Sequence, residues 1–288
     1  MKKSLLILTS CFFLPVFSSC IKDDLKDCDR NLRIEFEWIE TDPRNPQEEI
    51  QLTIQSDDRS SVEIDLTAPV SGRDVTLRPE TYRVVGWEPA ENISVIADTV
   101  KLAVGTDGYA LTPGAFNGGD TVSEVDLSIA NQVIPVPMRQ QTRPLCFRVF
   151  FSGDGSSALK GLDATLEGVT LERNINEAFP PASGLARPKA LRNGSAQYAF
   201  SWDEDHWQGT RRLIGIDGDA PQLLHLTASF DGGITNVATI DVTGEFFGYH
   251  TQSIHEPWCI TINVDLTEIL VMTITDWYGG AESWIVAQ

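Results

Sequence analysis

The chain reads LRIEFEW over residues 32–38. Apolar residues alternate there with charged ones, which places the apolar side chains on one face of a β-strand and the charges on the other. The same alternation returns as LCFRVFF at residues 145–151 and as WCITINVDL at residues 258–266. Because a strand with one apolar face buries it against a second layer, these stretches predict packed β-sheets.

Short strands separated by turns continue along the chain, and no stretch shows a sustained apolar repeat of about 3.6 residues. This pattern predicts an all-β fold of two Greek-key β-sandwiches in tandem. Prolines and polar residues without periodicity at residues 139–144 predict a linker between a first sandwich at 31–138 and a second at 145–288. The apolar phase slips across Gly168, which predicts a β-bulge, and DGG at residues 231–233 predicts a hairpin turn.

The N-terminal region has the features of a secretory signal. A positive pair at residues 2–3 precedes an apolar run at 5–17, and two serines come directly before Cys20. The run is shorter than the roughly 20 apolar residues that span a bilayer and contains a proline, which argues against a transmembrane anchor. An ordinary cleaved signal is the other alternative. The pattern resembles a bacterial lipoprotein signal, with residues 1–19 removed and a lipidated tether at 20–30.

The residues after the cysteine indicate where the protein is delivered. Lys22, Asp23 and Asp24 follow Cys20 closely and resemble the export signal with which Bacteroidetes lipoproteins reach the outer face of the outer membrane. A solvated acidic tether is the alternative. A diacylglyceryl group plus an acyl chain on Cys20 would hold the protein firmly, whereas one chain would not. We therefore expect a lipid-anchored outer-membrane protein exposed at the cell surface.

Composition and motifs exclude several classes of function. The 288-residue chain carries a formal net charge of −19, which argues against nucleic acid as a partner because phosphate binding needs a basic face. The four histidines show no metal-ligand spacing. The acidic stretches at 203–206 and 217–219 lack the pattern of dedicated calcium loops. No Gly-x-Ser-x-Gly motif occurs. The sequence predicts a non-catalytic protein without a metal or a cofactor other than its lipid.

Three cysteines remain for disulfide chemistry once Cys11 leaves with the signal and Cys20 carries lipid. These are Cys28, Cys146 and Cys259. An odd number permits at most one disulfide. Cys28 could fix the tether to a domain by pairing with either of the others, or all three could be free thiols, and the sequence leaves both open.

Two of the seven tryptophans are candidates for an exposed aromatic surface. Trp202 and Trp207 flank the acidic stretch at 203–205 and are expected at the surface, where they would contact a glycan. Trp38 and Trp258 lie in phase with apolar strand positions and are expected in the core. These two residues leave glycan binding by a surface lipoprotein open as an alternative to the fimbrial role described next.

Four features together resemble a known family. They are Cys20, DDLKDC at 23–28, the strand at 32–38, and LRPETYRV at 77–84. The chain is similar to Bacteroidales fimbrillin-like surface lipoproteins, both the fimbrial anchors and a related group of uncharacterised Bacteroides lipoproteins. In that superfamily a Leu-x-Pro-Gly-x-Tyr turn leads into the following strand, and here Glu80 replaces the glycine. The resemblance implies two transthyretin-like sandwiches and a role in cell adhesion as anchor or accessory subunit of a fimbrium.

The same resemblance implies fimbrial subunits as partners, and sheet edges suggest how they join. A strand from a neighbour that pairs with an open edge gains main-chain hydrogen bonds along its length. The stretch at 269–277 is expected to be an ordinary internal strand. The terminal residues Trp284, Ile285 and Val286 are expected to engage the next subunit or to pack over the edge of the second sandwich.

Overall fold

A computed structural model describes residues 29–39, 49–56, 64–126, 128–153, 156–175, 189–250, 256–266, 271–276 and 283–286. Within these residues there are nineteen strands and no α-helix, so the all-β prediction is confirmed. The strands are β1 (Arg30–Trp38), β2 (Glu49–Ser56), β3 (Ile64–Pro69), β4 (Arg73–Leu77), β5 (Thr81–Trp87), β6 (Ile93–Ile96), β7 (Thr99–Leu102), β8 (Asn117–Glu124), β9 (Val133–Gln140), β10 (Arg143–Ser152), β11 (Leu159–Asn174), β12 (Arg192–Ala199), β13 (Ser201–Asp203), β14 (His206–Leu213), β15 (Leu223–Phe230), β16 (Thr235–Asp241), β17 (Trp258–Asp265), β18 (Val271–Asp276) and β19 (Ser283–Val286).

The first sheet has seven strands in the order β3-β2-β5-β8-β9-β1-β4. Only two residue pairs join β8 to β9, and a Cβ on Gly119 would lie 1.9 Å from the carbonyl oxygen of Pro137, so the backbones cross closely there. The two ends of this sheet pack against each other, because one buried cluster draws residues from both. Its members are Leu32, Ile34, Phe36, Ile50, Leu52, Ile54, Ala68, Leu77, Tyr82, Val84, Val125, Ile134, Val136 and Met138.

Two further sheets enclose a second core. One has the order β13-β14-β10-β17-β18-β19, and the other has the order β16-β15-β11-β7-β6 with β12 also paired to β11. The alternation in β10 buries Leu145, Phe147 and Val149, and the alternation in β17 buries Ile260 and Ile262. The strands expected from these two stretches are confirmed.

The β6–β7 hairpin comes from residues that the sequence places in the first sandwich. In the structure β7 pairs antiparallel with β11, with Lys101 opposite Glu172. Val100 and Leu102 are buried in the second core rather than the first. An alternating pattern shows that a strand has a face to bury, but it does not show which sheet receives the strand.

Residues 139–144 form the crossing between the two cores. Strand β9 ends at Gln140 and β10 begins at Arg143, and Gln141 and Thr142 between them are buried. The polar side chain of Gln141 is hydrogen-bonded, since its side-chain amide donates to the carbonyl oxygen of Gly118 at 2.8 Å. The division of the chain into two domains at this point stays a prediction.

Two local predictions are confirmed. The pairing of β11 with β12 shifts register between Glu167 and Val169, and Gly168 between them has φ +75°. A left-handed backbone there favours glycine. The DGG stretch turns the chain from β15 into β16, which pair over seven positions.

Candidate functional site

A buried arginine lies where strand β11 meets the crossing between the two cores. Strand β11 continues its inward phase through Val169 and Leu171 to Arg173, which is 1% exposed. Its guanidinium donates to the carbonyl oxygen of Ile214 at 2.8 Å, and to the carbonyl and side-chain oxygens of Gln141 at 2.8 and 3.0 Å. Arginine carries five N–H donors in a planar fork, so one side chain can satisfy several carbonyls. Arg173 therefore fastens β11 to the crossing between the cores.

A second buried arginine lies at the start of β10. Arg143 donates to the backbone oxygens of Glu256 and Tyr249. Its guanidinium carbon lies 4.9 Å from the ring centre of Trp258 and 5.4 Å from that of Tyr249, within cation–π range. Burial lowers the pKa of Arg143. Sequence reasoning missed this junction, although the inward phase of β11 passes through Arg173 and signals that its side chain is buried.

The predicted aromatic pair lies on the hairpin of β13 and β14. Trp202 and Trp207 stand directly opposite each other, with ring centres 5.7 Å apart and planes at 72°. Trp202 is 58% exposed, whereas Trp207 is half-buried against the second core. The structure therefore brings the two rings together, but only Trp202 offers a largely free surface.

A second aromatic contact lies on the opposite face of the same sheet. The His206 ring stacks on Phe150 with centres 5.0 Å apart. Successive residues of a strand point to opposite faces, so His206 and Trp207 face different ways. The Asp205 carboxylate lies 3.0 Å from His206 Nδ1 and raises the pKa of that imidazole. The aromatic residues of this hairpin thus do not form one continuous platform.

Two of the candidate cysteines are neighbours. Cys146 in β10 lies opposite Cys259 in β17, and these strands run parallel. Cys146 is buried, Cys259 is half-buried, and both are free thiols in the structure. Cys28 lies outside the described residues, as do Cys20 and the predicted export residues at 22–24.

The terminal strand forms the edge of the six-stranded sheet. Strand β18, which lies within the stretch at 269–277, pairs antiparallel with β17 on one side and with β19 on the other. In β19, Trp284 lies opposite Thr273 and Ile285 lies opposite Met272. The backbone of the predicted contact strand is therefore paired within its own chain.

Other functional features are not found in the part of the chain that the structure describes. No group of three or more His, Cys, Asp or Glu residues there could hold a metal ion. No helix among the same residues has the length and apolar character needed to cross a membrane.

Comparisons with known proteins give a likeness of fold. No protein-family model matches the sequence, and no curated protein matches it significantly. The structure superposes on a proposed adhesin from Bacteroides ovatus with a TM-score of 0.61 and 14% identity, covering 86% of this chain and 93% of that one. The fimbrial anchor protein Mfa2 from Porphyromonas gingivalis gives a TM-score of 0.57 and 9% identity, covering 88% and 99%.

A proposed polysaccharide-binding protein from Bacteroides thetaiotaomicron gives a TM-score of 0.55 and 11% identity, covering 89% of this chain and 98% of that one. The chain therefore has the fold of Bacteroidales adhesins and of a fimbrial anchor over most of its length. The resemblance that the sequence predicts is confirmed at the level of the fold.

Proposed function

We propose that the protein is a non-catalytic surface lipoprotein of the outer membrane that serves as anchor or accessory subunit of a fimbrium. The observation that carries this proposal is the likeness of fold to a fimbrial anchor, which spans 88% of this chain and 99% of the anchor. A likeness over nearly the whole anchor covers both cores and the crossing between them. An anchor needs a membrane attachment and a contact with the next subunit.

The membrane attachment is assigned to Cys20. Acylation of its thiol and amine would leave a tether at residues 20–30 between the lipid and β1. Lys22, Asp23 and Asp24 would direct the lipoprotein to the outer face of the membrane. Two or three acyl chains together give stable anchoring, so no further membrane contact is required of the folded part.

The subunit contact is assigned to β19 and proceeds by β-strand addition. This strand has four residues and pairs with β18 at four positions, whereas β10 and β17 pair at eight. A short edge strand presents one row of backbone N–H and C=O groups away from its own sheet. A strand of a neighbouring fimbrial subunit that pairs with this row would gain hydrogen bonds along the segment.

The test is a pull-down of the tagged protein from detergent-solubilised outer membrane. We expect fimbrial subunits to co-purify with the wild type. Cys20→Ala should move the protein out of the membrane fraction, and Cys28→Ala in the same tether is the matched control that should leave it there. A protein that stays in the outer membrane without lipidation, or that purifies without any fimbrial subunit, contradicts the proposal.

A second function is favoured by the exposed ring of Trp202 and its contact with Trp207. Exposed aromatic rings bind sugars, and one protein with this fold is named for polysaccharide binding. Glycan capture predicts that Trp202→Ala abolishes retention on a polysaccharide column while the fold survives. Phe247→Ala, at a similarly exposed aromatic residue elsewhere, is the control. Fimbrial anchoring predicts no effect of Trp202→Ala on co-purification.

A further inference from the structure

We propose that Cys146 and Cys259 close to a disulfide that joins β10 to β17 inside the six-stranded sheet. The two residues stand opposite each other in the parallel register. Neighbouring strands lie about 4.8 Å apart, which falls within the Cα separations of about 4.4–6.8 Å found in disulfides. Residues opposite each other in register project to the same face, so the two thiols meet without a change of fold.

Both thiols lie on the outer face of the sheet. Leu145 and Phe147 on either side of Cys146 belong to the second core, as do the neighbours of Cys259. Because successive residues alternate between faces, the cysteines point away from that core. Cys146 is 2% exposed and Cys259 is half-buried, so an oxidant in solution reaches the pair at Cys259.

The surroundings favour a thiolate in this pair. Hydrogen bonds from Cys259 and Thr210, together with the charge of Arg148, lower the pKa of Cys146, although burial opposes them. The hydrogen bond with Cys146 and burial raise the pKa of Cys259. The pair therefore releases its first proton readily and shares the second. The charge therefore rests on Cys146, which can take the proton of Cys259 when the more accessible Cys259 sulfur attacks a disulfide, because a thiolate is the attacking species.

The reaction is a thiol–disulfide exchange with a disulfide-bonded oxidoreductase of the export compartment. The Cys146 thiolate takes the proton of the Cys259 thiol as the Cys259 sulfur attacks one sulfur of the oxidoreductase disulfide, and the other sulfur leaves as a thiolate that takes up a proton. The Cys146 thiol then loses its proton and attacks the Cys259 sulfur, so the oxidoreductase departs as a dithiol. Two electrons and two protons pass to the oxidant, and one S–S bond forms in the protein. Compartments outside the cytoplasm maintain such bonds, so the inference rests on the proposed export of the chain.

The direct test maps the cysteines of the full chain isolated from its native membrane. Free thiols are alkylated in denaturant, and the unreduced protein is cut after Arg148 and Glu245 with trypsin and a glutamate-specific protease. We expect a disulfide-linked pair of peptides that carry Cys146 and Cys259, with Cys28 alkylated. Alkylation of both Cys146 and Cys259, or a link from either one to Cys28, overturns the proposal.

A second measurement does not depend on variants that fold poorly. The two cysteines are more than a hundred residues apart in the chain, and a loop of that length predicts a fall of about 10 °C in the thermal midpoint when the wild type is reduced. Cys28→Ser should keep this response to reductant, and the double variant Cys146→Ser with Cys259→Ser should lose it. An unchanged midpoint in the reduced wild type contradicts the disulfide.

The outcomes separate this inference from the proposed function. Free thiols in a protein found at the cell surface overturn the disulfide and leave the fimbrial role intact. A chain found in the cytoplasm overturns the fimbrial role itself.

Discussion

The two halves of the chain begin alike and end differently. Strand β1 lies between an antiparallel partner, β4, and a parallel partner, β9. Strand β10 likewise lies between antiparallel β14 and parallel β17. In the first half, β9 leads almost directly into β10. In the second half, the chain continues after β17 and adds β18 and β19 to the same sheet.

This difference concerns which strands build the cores and which strand ends a sheet. The opening strand and its two partners recur in both halves and supply buried residues to both cores. Strands β18 and β19 stand beside β17 where β8 and β5 stand beside β9, but they follow their neighbour in the chain instead of preceding it, and β19 occupies a sheet edge. The shared layout builds the cores, and the proposed function gives the terminal strand the contact with the next subunit.

The buried Arg173 at the crossing between the cores gives the largest expected effect on stability. Arg173→Met should lower the free energy of unfolding by about 4 kcal/mol, because the carbonyl groups of Ile214 and Gln141 would lose a charged donor in a buried site. Urea unfolding measures the loss. Arg192→Met, which removes a half-exposed arginine that pairs with Glu172 at 3.0 Å, should cost less than about 1 kcal/mol. Equal losses from the two variants would show that Arg173 does not fasten β11 to the crossing between the cores.

The next largest effect on stability is expected at the β6–β7 hairpin, which packs in the second core. Leu102→Ala should cost about 3 kcal/mol, because it leaves a cavity in the second core. Ile96→Ala, at a residue 59% exposed on the same hairpin, should change stability by less than about 0.5 kcal/mol. Hydrogen exchange should become faster in β11 and β15 for Leu102→Ala. Faster exchange confined to β2 and β5 would instead assign the hairpin to the first core.

The terminal addition should matter less for stability than for assembly. Deletion of residues 282–288 removes an edge strand with four paired positions and should cost about 2 kcal/mol in unfolding experiments. Co-purification of fimbrial subunits should be lost all the same, although the protein stays in the membrane fraction. A deletion that changes neither stability nor assembly would contradict both roles given to β19.

The smallest effect is electrostatic and lies on the aromatic hairpin. Asp205 raises the pKa of His206, so protonated His206 stabilises the fold below the ordinary histidine pKa of about 6.5. That contribution is lost as the pH rises through the folded-state pKa. Because Asp205 is largely exposed, Asp205→Asn should cost only a few tenths of a kcal/mol at pH 5 and nothing at pH 9. An NMR titration should show a lower His206 pKa in this variant, and Asp203→Asn should lower it less.

The strands and the turns could be predicted because each depends on a short stretch of neighbouring residues. Alternation over two residues decided β1, β10 and β17, and a phase slip located the bulge at Gly168. Sheet membership could not be predicted in the same way, since the β6–β7 hairpin has the pattern of any strand pair. Its assignment depends on the pairing of β7 with β11, about seventy residues further along the chain.

The candidate site was predictable in part. The position of Trp202 beside an acidic turn predicted its exposure, but the half-burial of Trp207 depends on the second core beneath it. The neighbouring positions of Cys146 and Cys259 follow from a parallel register between strands far apart in sequence. Arg143 was missed because a charged residue beside Pro144 is typical of a linker, and only the folded junction supplies carbonyl partners for it.

The most direct test of the fimbrial role is photo-crosslinking from the terminal strand in living cells. A photoreactive amino acid is placed at Trp284 or at Ile285, with exposed Val237 on β16 as the control position. We predict that the β19 positions, and not the control, capture another fimbrial subunit in a protein that remains lipid-anchored. Crosslinks that stay within the chain at both β19 positions would contradict assembly through the terminal strand.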